Sequence, residues 1–215
     1  MIKEHKNVAK DADYRTHYET SSYPEFRRDK LFRKVKSVLY KSKIAMPFNL
    51  TKKYNDLLDL VGMSEFERTK SLRGVFNRDI QDNPKFVFQG KPIYPTPKED
   101  GIIAMENLFN HLTRKETDKE THHREFDMSR SQRLHWIRYH VEQQKADRML
   151  YFSVDEPRGK RTYIYDIDEF YVIVLEPRRD CKSYYLLTAY RLEGKDSARD
   201  KIIKKYNRRR LKVLL

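Results

Sequence analysis

The chain of 215 residues carries 46 Lys and Arg against 32 Asp and Glu, a formal net charge of +14. A chain of this length holds one large or two small domains, and its charge indicates a partner rich in phosphate, nucleic acid above all. It contains no run of about 18 apolar residues and no basic amphipathic anchor, which argues against a membrane protein.

The amino terminus and the single cysteine bear on location. Residues 1–20 are charged throughout and lack the apolar core of a secretory signal. Cys181 alone cannot form an internal disulfide and leaves no cysteine-based zinc site. We therefore expect a cytoplasmic protein that needs no cofactor.

The first half of the chain reads as helices followed by a hairpin. Residues 1–24 show no sustained period and are interpreted as an arm. A basic helix is predicted from Glu25, and further helices over Lys52–Val61 and Glu65–Asp79, the last opened by a Ser and Glu capping pattern. Two apolar segments within Phe86–Tyr94 flank a glycine and predict a β-hairpin.

Three helices followed by a hairpin resemble the winged-helix family in element order. The resemblance implies a domain over residues 25–95 whose third helix and hairpin contact nucleic acid. The candidate binding residues there are Arg68, Arg73 and Lys91. A protein-interaction module or a plain scaffold is the alternative reading of the same segment.

Residues 96–125 read as a helical linker with no metal site. Proline and glycine at its start break regular structure, and a helix is predicted over Ile102–Leu112. The charged stretch that follows includes His122 and His123, but adjacent histidines on a helix point to different sides. We therefore expect no metal ion there.

The second half predicts a helix followed by a four-stranded meander over residues 126–215. The helix begins near Phe126, and four segments rich in Tyr, Val, Ile and Phe follow. These segments are Met149–Val154, Arg161–Ile167, Phe170–Leu175 and Tyr184–Tyr190. Their short connections require antiparallel pairing. The predicted fold class is α+β, a helical winged-helix-like domain followed by a four-stranded antiparallel meander with packed helices.

A last helix, predicted over Asp196–Arg210, carries mostly basic residues. Its apolar side chains form one face, and the basic ones are expected to face a partner. Lys204, Arg208 and Arg209 are candidates for contact with nucleic acid.

The second half also resembles a nuclease superfamily. The run from Arg130 through Arg133 to Ile137, the meander, and the strand Tyr185-Leu-Leu-Thr188-Ala-Tyr190 are similar to phage-associated nucleases of the barnase, EndoU, colicin and RelE-like superfamily. The resemblance implies a metal-independent endoribonuclease that acts as a toxin or phage-defence effector on tRNA or other translation RNA. It also implies an antitoxin or immunity protein as a possible partner.

Metal-free RNA cleavage needs a base, an acid and cations beside the phosphate, because the ribose 2′-OH is itself the nucleophile. The candidate catalytic residues are Arg133, His135, Thr188 and Tyr190, and the candidate phosphate-binding residues are Arg130, Arg161 and Lys160. Thr188 and Tyr190 share one face of a strand. Each candidate has a structural alternative: a packed imidazole for His135, salt bridges for the arginines, and packing against a helix for the strand residues.

Two other functions fit the same sequence. A non-catalytic RNA- or DNA-binding regulator would use the basic surface alone. A phage interaction protein would retain the nuclease fold without activity.

Overall fold

The computed structural model describes residues 48–97, 103–118, 120–194 and 196–211. These residues belong to a compact unit that begins at Pro47. The predicted arm over residues 1–24 and the predicted helix from Glu25 lie outside the described residues. Within the described ranges, no helix is both long enough and apolar enough to cross a membrane.

The first described segment corrects one helix prediction. A short 3₁₀ helix spans Phe48–Thr51, but the predicted helix over Lys52–Val61 is wrong, because the chain there has no regular helix. Leu58 and Leu60 are both fully buried while the residues beside them are exposed. Burial of every second side chain is typical of an extended chain, because residues two apart lie on different sides of a helix.

Helix α1 (Glu65–Phe76) begins with the predicted capping box. The Ser64 hydroxyl accepts from the Glu67 backbone N–H at 3.4 Å, and the Ser64 N–H donates to the Glu67 carboxylate at 2.9 Å. Two amide donors of the first turn are thereby satisfied. A π-helical turn, Asn77–Gln81, continues α1.

The remaining elements, in chain order, are β1 (Val87–Phe88), β2 (Lys91–Pro95), α2 (Ala104–Thr113), β3 (Arg114–Glu116), β4 (Arg124–Phe126), α3 (Met128–Ser131), α4 (Trp136–Val141), β5 (Met149–Glu156), β6 (Gly159–Asp166), β7 (Tyr171–Pro177), β8 (Tyr184–Arg191) and α5 (Ser197–Asn207). Strands β3 and β4 form a small antiparallel pair inside the segment that the sequence analysis interpreted as a linker.

The main sheet has six strands and is mixed, which makes the predicted fold class wrong. Its order is β1-β2-β8-β7-β6-β5, with β2 parallel to β8 and the other pairs antiparallel. The β1–β2 hairpin therefore extends the sheet of the carboxy-terminal strands and is not the wing of a winged-helix domain. Ile93 pairs with Tyr184 across the parallel junction, and both side chains are buried. Burial of this apolar pair favours the long-range pairing.

The two faces of the sheet pack against different layers. One face packs with α1, α2 and α4 in a large core that includes Phe76, Phe109 and Trp136. The other face packs against α5 in a smaller core around Phe152 and Ile202. Because α5 is one short helix, part of this second face is left for polar side chains.

Candidate functional site

We call the face of β5–β8 that packs against α5 the meander face. Thr188 lies opposite Val174, and Tyr190 lies opposite Val172, so both project to this face, as side-chain alternation predicts. Tyr163 of β6 occupies the same cross-strand row as Thr188. Two strands therefore bring aromatic and aliphatic hydroxyls to one surface.

Arg130 reaches this surface from α3. Asp127 caps α3 by accepting from the Arg130 backbone N–H at 3.0 Å, and it also lies 3.5 Å from the Arg130 guanidinium. One guanidinium nitrogen donates to the Thr188 hydroxyl at 3.2 Å, and the guanidinium carbon lies 5.6 Å from the centre of the Tyr190 ring. The structure thus brings together three residues that the sequence analysis selected: Arg130, Thr188 and Tyr190.

A pocket of about 250 Å³ at the end of β8 is lined by two of these residues, Arg130 and Tyr190. Lys115 and Arg191 add two cations to its lining. Two carboxylates also line it: Asp127, which pairs with Arg130, and the exposed Glu193. A pocket with several cations and a carboxylate can hold a phosphate and can also accept a proton.

The hydroxyl of Tyr190 is a proton donor at neutral pH. Burial raises the pKa of Tyr190, although the nearby cation of Lys205 acts in the opposite direction. A phenol whose pKa lies above its ordinary value of about 10 keeps its proton at pH 7. Tyr190 can therefore donate a hydrogen bond or a proton, but it cannot serve as a base.

The β5–β6 end of the meander face holds a second polar cluster. The Lys205 ammonium donates to the Glu156 carboxylate and, at 3.2 Å, to the Tyr163 hydroxyl. Burial lowers the pKa of Lys205, but its hydrogen bonds to Glu156 and Tyr163 outweigh this effect, so the pKa is raised overall. Lys205 is therefore a stable cation.

The two predicted phosphate ligands of β6 differ in availability. Arg161 forms an ion pair with Glu176 at 2.7 Å and lines a pocket of about 420 Å³ with Tyr163. Lys160 is exposed at the start of β6. Arg161 is thus partly neutralised by a salt bridge of the kind weighed in the sequence analysis, whereas Lys160 remains accessible.

Arg133 lies three residues after Arg130, but its side chain packs within the fold. Its guanidinium donates to the Ser129 carbonyl at 2.8 Å and lies 5.2 Å from the centre of the Trp136 ring. Burial lowers the pKa of Arg133, and the charge of Arg191 adds to the effect. A half-buried arginine beside another arginine adds positive potential behind the pocket.

His135 lies on a different surface from Thr188 and Tyr190. It is 5% exposed, and its Nε2 lies 3.2 Å from the Lys53 carbonyl oxygen. It lines a separate pocket with residues of the 3₁₀ helix, the π-helical turn and α4. The structure therefore does not bring this predicted base to the meander face.

The six predicted nucleic-acid ligands fall into two groups. Arg73 pairs with Glu106 at 2.6 Å, Lys91 donates to the Cys181 carbonyl, and Arg68 lies 4.6 Å from the centre of the Phe126 ring. These three side chains are engaged within the fold. The other three are exposed at or just after the end of α5, and one of them, Arg209, also donates to the Tyr206 carbonyl at 3.1 Å: Lys204, Arg208 and Arg209.

Several residues of the meander face and its pocket were not predicted from the sequence. Tyr163 follows Arg161 by two residues, so strand alternation alone could have placed it on the same face. No alternation along a strand could have predicted Lys115 and Glu193, because they line the pocket from β3 and from the loop after β8. Only tertiary structure brings them together.

Comparison with known proteins gives no match: no family model, curated protein or solved structure that was searched resembles the chain. The similarity to the nuclease superfamily thus remains a prediction from the residues themselves. Among the described residues, no group of three His, Cys, Asp or Glu side chains is placed to hold a metal ion.

Proposed function

We propose that the protein is a metal-independent endoribonuclease that cleaves RNA on the meander face. One observation carries the proposal: the Arg130 guanidinium contacts the Thr188 hydroxyl and lies over the Tyr190 ring at the edge of a cationic pocket. A cation and a phenol that line one small pocket, with the Thr188 hydroxyl bonded to that cation, suit the charge that develops on a phosphate during cleavage.

In the proposed reaction, the ribose 2′-OH attacks the adjacent phosphorus and the 5′-oxygen leaves. Glu193, an exposed carboxylate in the pocket, takes the proton of the 2′-OH. Tyr190 gives its proton to the leaving oxygen, and Arg130 binds the non-bridging oxygens. The products are a 2′,3′-cyclic phosphate and a 5′-hydroxyl end.

The wider setting of the proposal rests on the resemblance described above. It implies a toxin or phage-defence effector with tRNA or other translation RNA as substrate and an antitoxin or immunity protein as a possible partner. The proposed cytoplasmic location rests on the charged amino terminus and the single cysteine. The exposed cations of α5 supply a surface for the RNA backbone beyond the pocket.

The test is the cleavage rate of total tRNA by the wild type and by two variants. Glu193→Gln removes the base and Tyr190→Phe removes the acid, and each is expected to slow cleavage about 100-fold or more. Lys70→Ala, an exposed change on α1, should leave the rate unchanged. Cleavage by either pocket variant at the wild-type rate would contradict the assigned roles.

The alternative function is an RNA-binding regulator without catalysis. It predicts tRNA binding that weakens steeply with salt, and intact tRNA after long incubation. The same tRNA reaction therefore separates the two functions.

A further inference from the structure

The pocket that His135 lines, separate from the meander face, has a volume of about 550 Å³. Its walls come from three parts of the chain: the 3₁₀ helix with the segment after it, the π-helical turn that follows α1, and α4. Pockets that bind small molecules are commonly about 300–1,000 Å³. Its size therefore suits a ligand of mononucleotide dimensions.

Positive charge predominates in this pocket. Lys52, Lys53, Arg78 and Arg138 line it, with Asp79 as the one lining carboxylate within the described residues. The carboxylate of Asp79 is 2% exposed and is already held by Arg78 at 2.5 Å and Arg138 at 3.4 Å. Neither lysine forms a salt bridge in the described part of the chain, and the Lys52 ammonium lies 4.4 Å from the centre of the Phe48 ring. The pocket therefore presents net positive charge to a ligand.

An aromatic wall lies beside these cations. The rings of Tyr54 and Tyr139 are stacked, with centres 4.3 Å apart and planes 8° apart, and both residues line the pocket. The Tyr54 hydroxyl is fixed by a 2.7 Å hydrogen bond to Asp166. A nucleobase packs well on such rings, because every base has an aromatic face.

The side chain of His135 also lines this pocket, and its Nε2 lies 3.2 Å from the Lys53 carbonyl oxygen. This contact fixes the backbone of Lys53 at the wall of the pocket.

We propose that this pocket binds a nucleotide through its 5′-phosphate and its base. The phosphate lies against Lys52 and Lys53, and the base lies against Tyr139. Both a free mononucleotide and the 5′-terminal nucleotide of a strand present this chemistry. The site is separate from the meander face, so the proposal does not depend on RNA cleavage.

The single tryptophan of the chain makes binding measurable. The Trp136 ring centre lies 5.1 Å from that of Tyr54, directly behind the aromatic wall. Titration of the full-length protein with dAMP and dGMP should change the Trp136 emission, and calorimetry gives the same dissociation constant without relying on the fluorophore. Deoxynucleotides are used because they lack the 2′-OH that cleavage requires.

Four further probes define what is recognised. Inorganic phosphate and deoxyguanosine should each bind more weakly than dGMP, because phosphate lacks the contact with Tyr139 and deoxyguanosine lacks the contacts with the lysines. Short deoxyoligonucleotides with and without a 5′-phosphate distinguish the two sources of the ligand. Tight binding that requires the 5′-phosphate indicates a strand end, and binding of the mononucleotides alone indicates a free nucleotide.

The decisive variant is the double substitution Lys52→Ala and Lys53→Ala. Loss of two charge-assisted contacts should weaken dGMP binding about tenfold or more. The matched control, Lys70→Ala with Lys85→Ala, removes the same charge from exposed positions away from the pocket and should bind as the wild type does. Tyr139→Leu should weaken dGMP but leave phosphate binding unchanged.

Three results would overturn the proposal. They are no binding of either deoxynucleotide at millimolar concentration, equal losses in the lysine double variant and its control, and equal affinity for dGMP and deoxyguanosine. Thr188→Ala, on the meander face, should bind dGMP normally whether or not the protein cleaves RNA.

Discussion

Asp166 at the end of β6 is a buried carboxylate that several donors hold. Its carboxylate is fully buried and accepts from the Tyr54 hydroxyl at 2.7 Å, His140 Nε2 at 2.9 Å and the Lys145 ammonium at 2.5 Å. It also accepts from the Asp168 backbone N–H at 3.0 Å. We predict that Asp166→Asn lowers the free energy of unfolding by about 3–5 kcal/mol, the usual cost of breaking a buried ion pair.

The size of the loss follows from the donors left behind. An amide carries no negative charge, and its NH₂ group would meet groups that are themselves donors. His140 cannot compensate, because its Nδ1 already faces the Trp136 carbonyl at 2.7 Å. A matched control is Asp168→Asn, since Asp168 is 42% exposed and pairs with the same Lys145 at 2.9 Å. That change should cost less than about 1 kcal/mol.

Urea unfolding followed by the fluorescence of Trp136 measures both changes. Trp136, the first residue of α4, is 1% exposed and packs in the large core. Its emission therefore reports the unfolding of that core. With a denaturant slope of about 2 kcal/mol per molar, Asp166→Asn should lower the urea midpoint by about 1.5–2.5 M. Equal shifts for Asp166→Asn and Asp168→Asn would contradict the larger contribution assigned to the buried carboxylate.

Three further predictions concern pH, packing and RNA affinity. Burial raises the pKa of Asp166, but hydrogen bonds from His140 and Lys145 outweigh it and hold the pKa below its ordinary value. This stabilisation is therefore complete above about pH 4 and is lost as the pH falls further, so wild-type urea midpoints should drop more in acid than those of Asp166→Asn. Phe152→Ala, which removes a stacked partner of Tyr163 under α5, should cost about 3–5 kcal/mol by urea unfolding, whereas a loss below about 1 kcal/mol would contradict the observed packing. Replacing Lys204, Arg208 and Arg209 by Ala should reduce the salt dependence of tRNA binding, measured by filter retention, and an unchanged slope would remove α5 from the RNA surface.

Local signals in the sequence were sufficient for several elements. The Ser64 and Glu67 pair marks the start of α1, because the two side chains are within reach of each other across one helical turn. The alternation of Thr188 and Tyr190 correctly places both on one face of β8. Such signals depend on neighbours within about four residues, which the sequence displays directly.

The errors concern contacts between distant residues. The pairing of Ile93 with Tyr184 joins strands about 90 residues apart, and nothing near Ile93 distinguishes a wing from a strand of the main sheet. Burial of His135 against the Lys53 carbonyl is equally long-range, so its position in a pocket separate from the meander face could not be read from its neighbours. The contact between Lys205 of α5 and Tyr163 is also long-range, so the neighbours of either residue in the sequence do not indicate it.

The cleavage proposed for the meander face requires the ribose 2′-OH and no metal ion. The most direct measurement uses a labelled deoxyoligonucleotide that contains one ribonucleotide, incubated with the purified protein in EDTA. We predict one cut, immediately 3′ of the ribose, that leaves a 2′,3′-cyclic phosphate. Arg130→Ala should slow this cut about 100-fold or more. An uncut strand, a cut in the all-deoxy strand, or a cut that Arg130→Ala leaves unchanged would contradict the proposal.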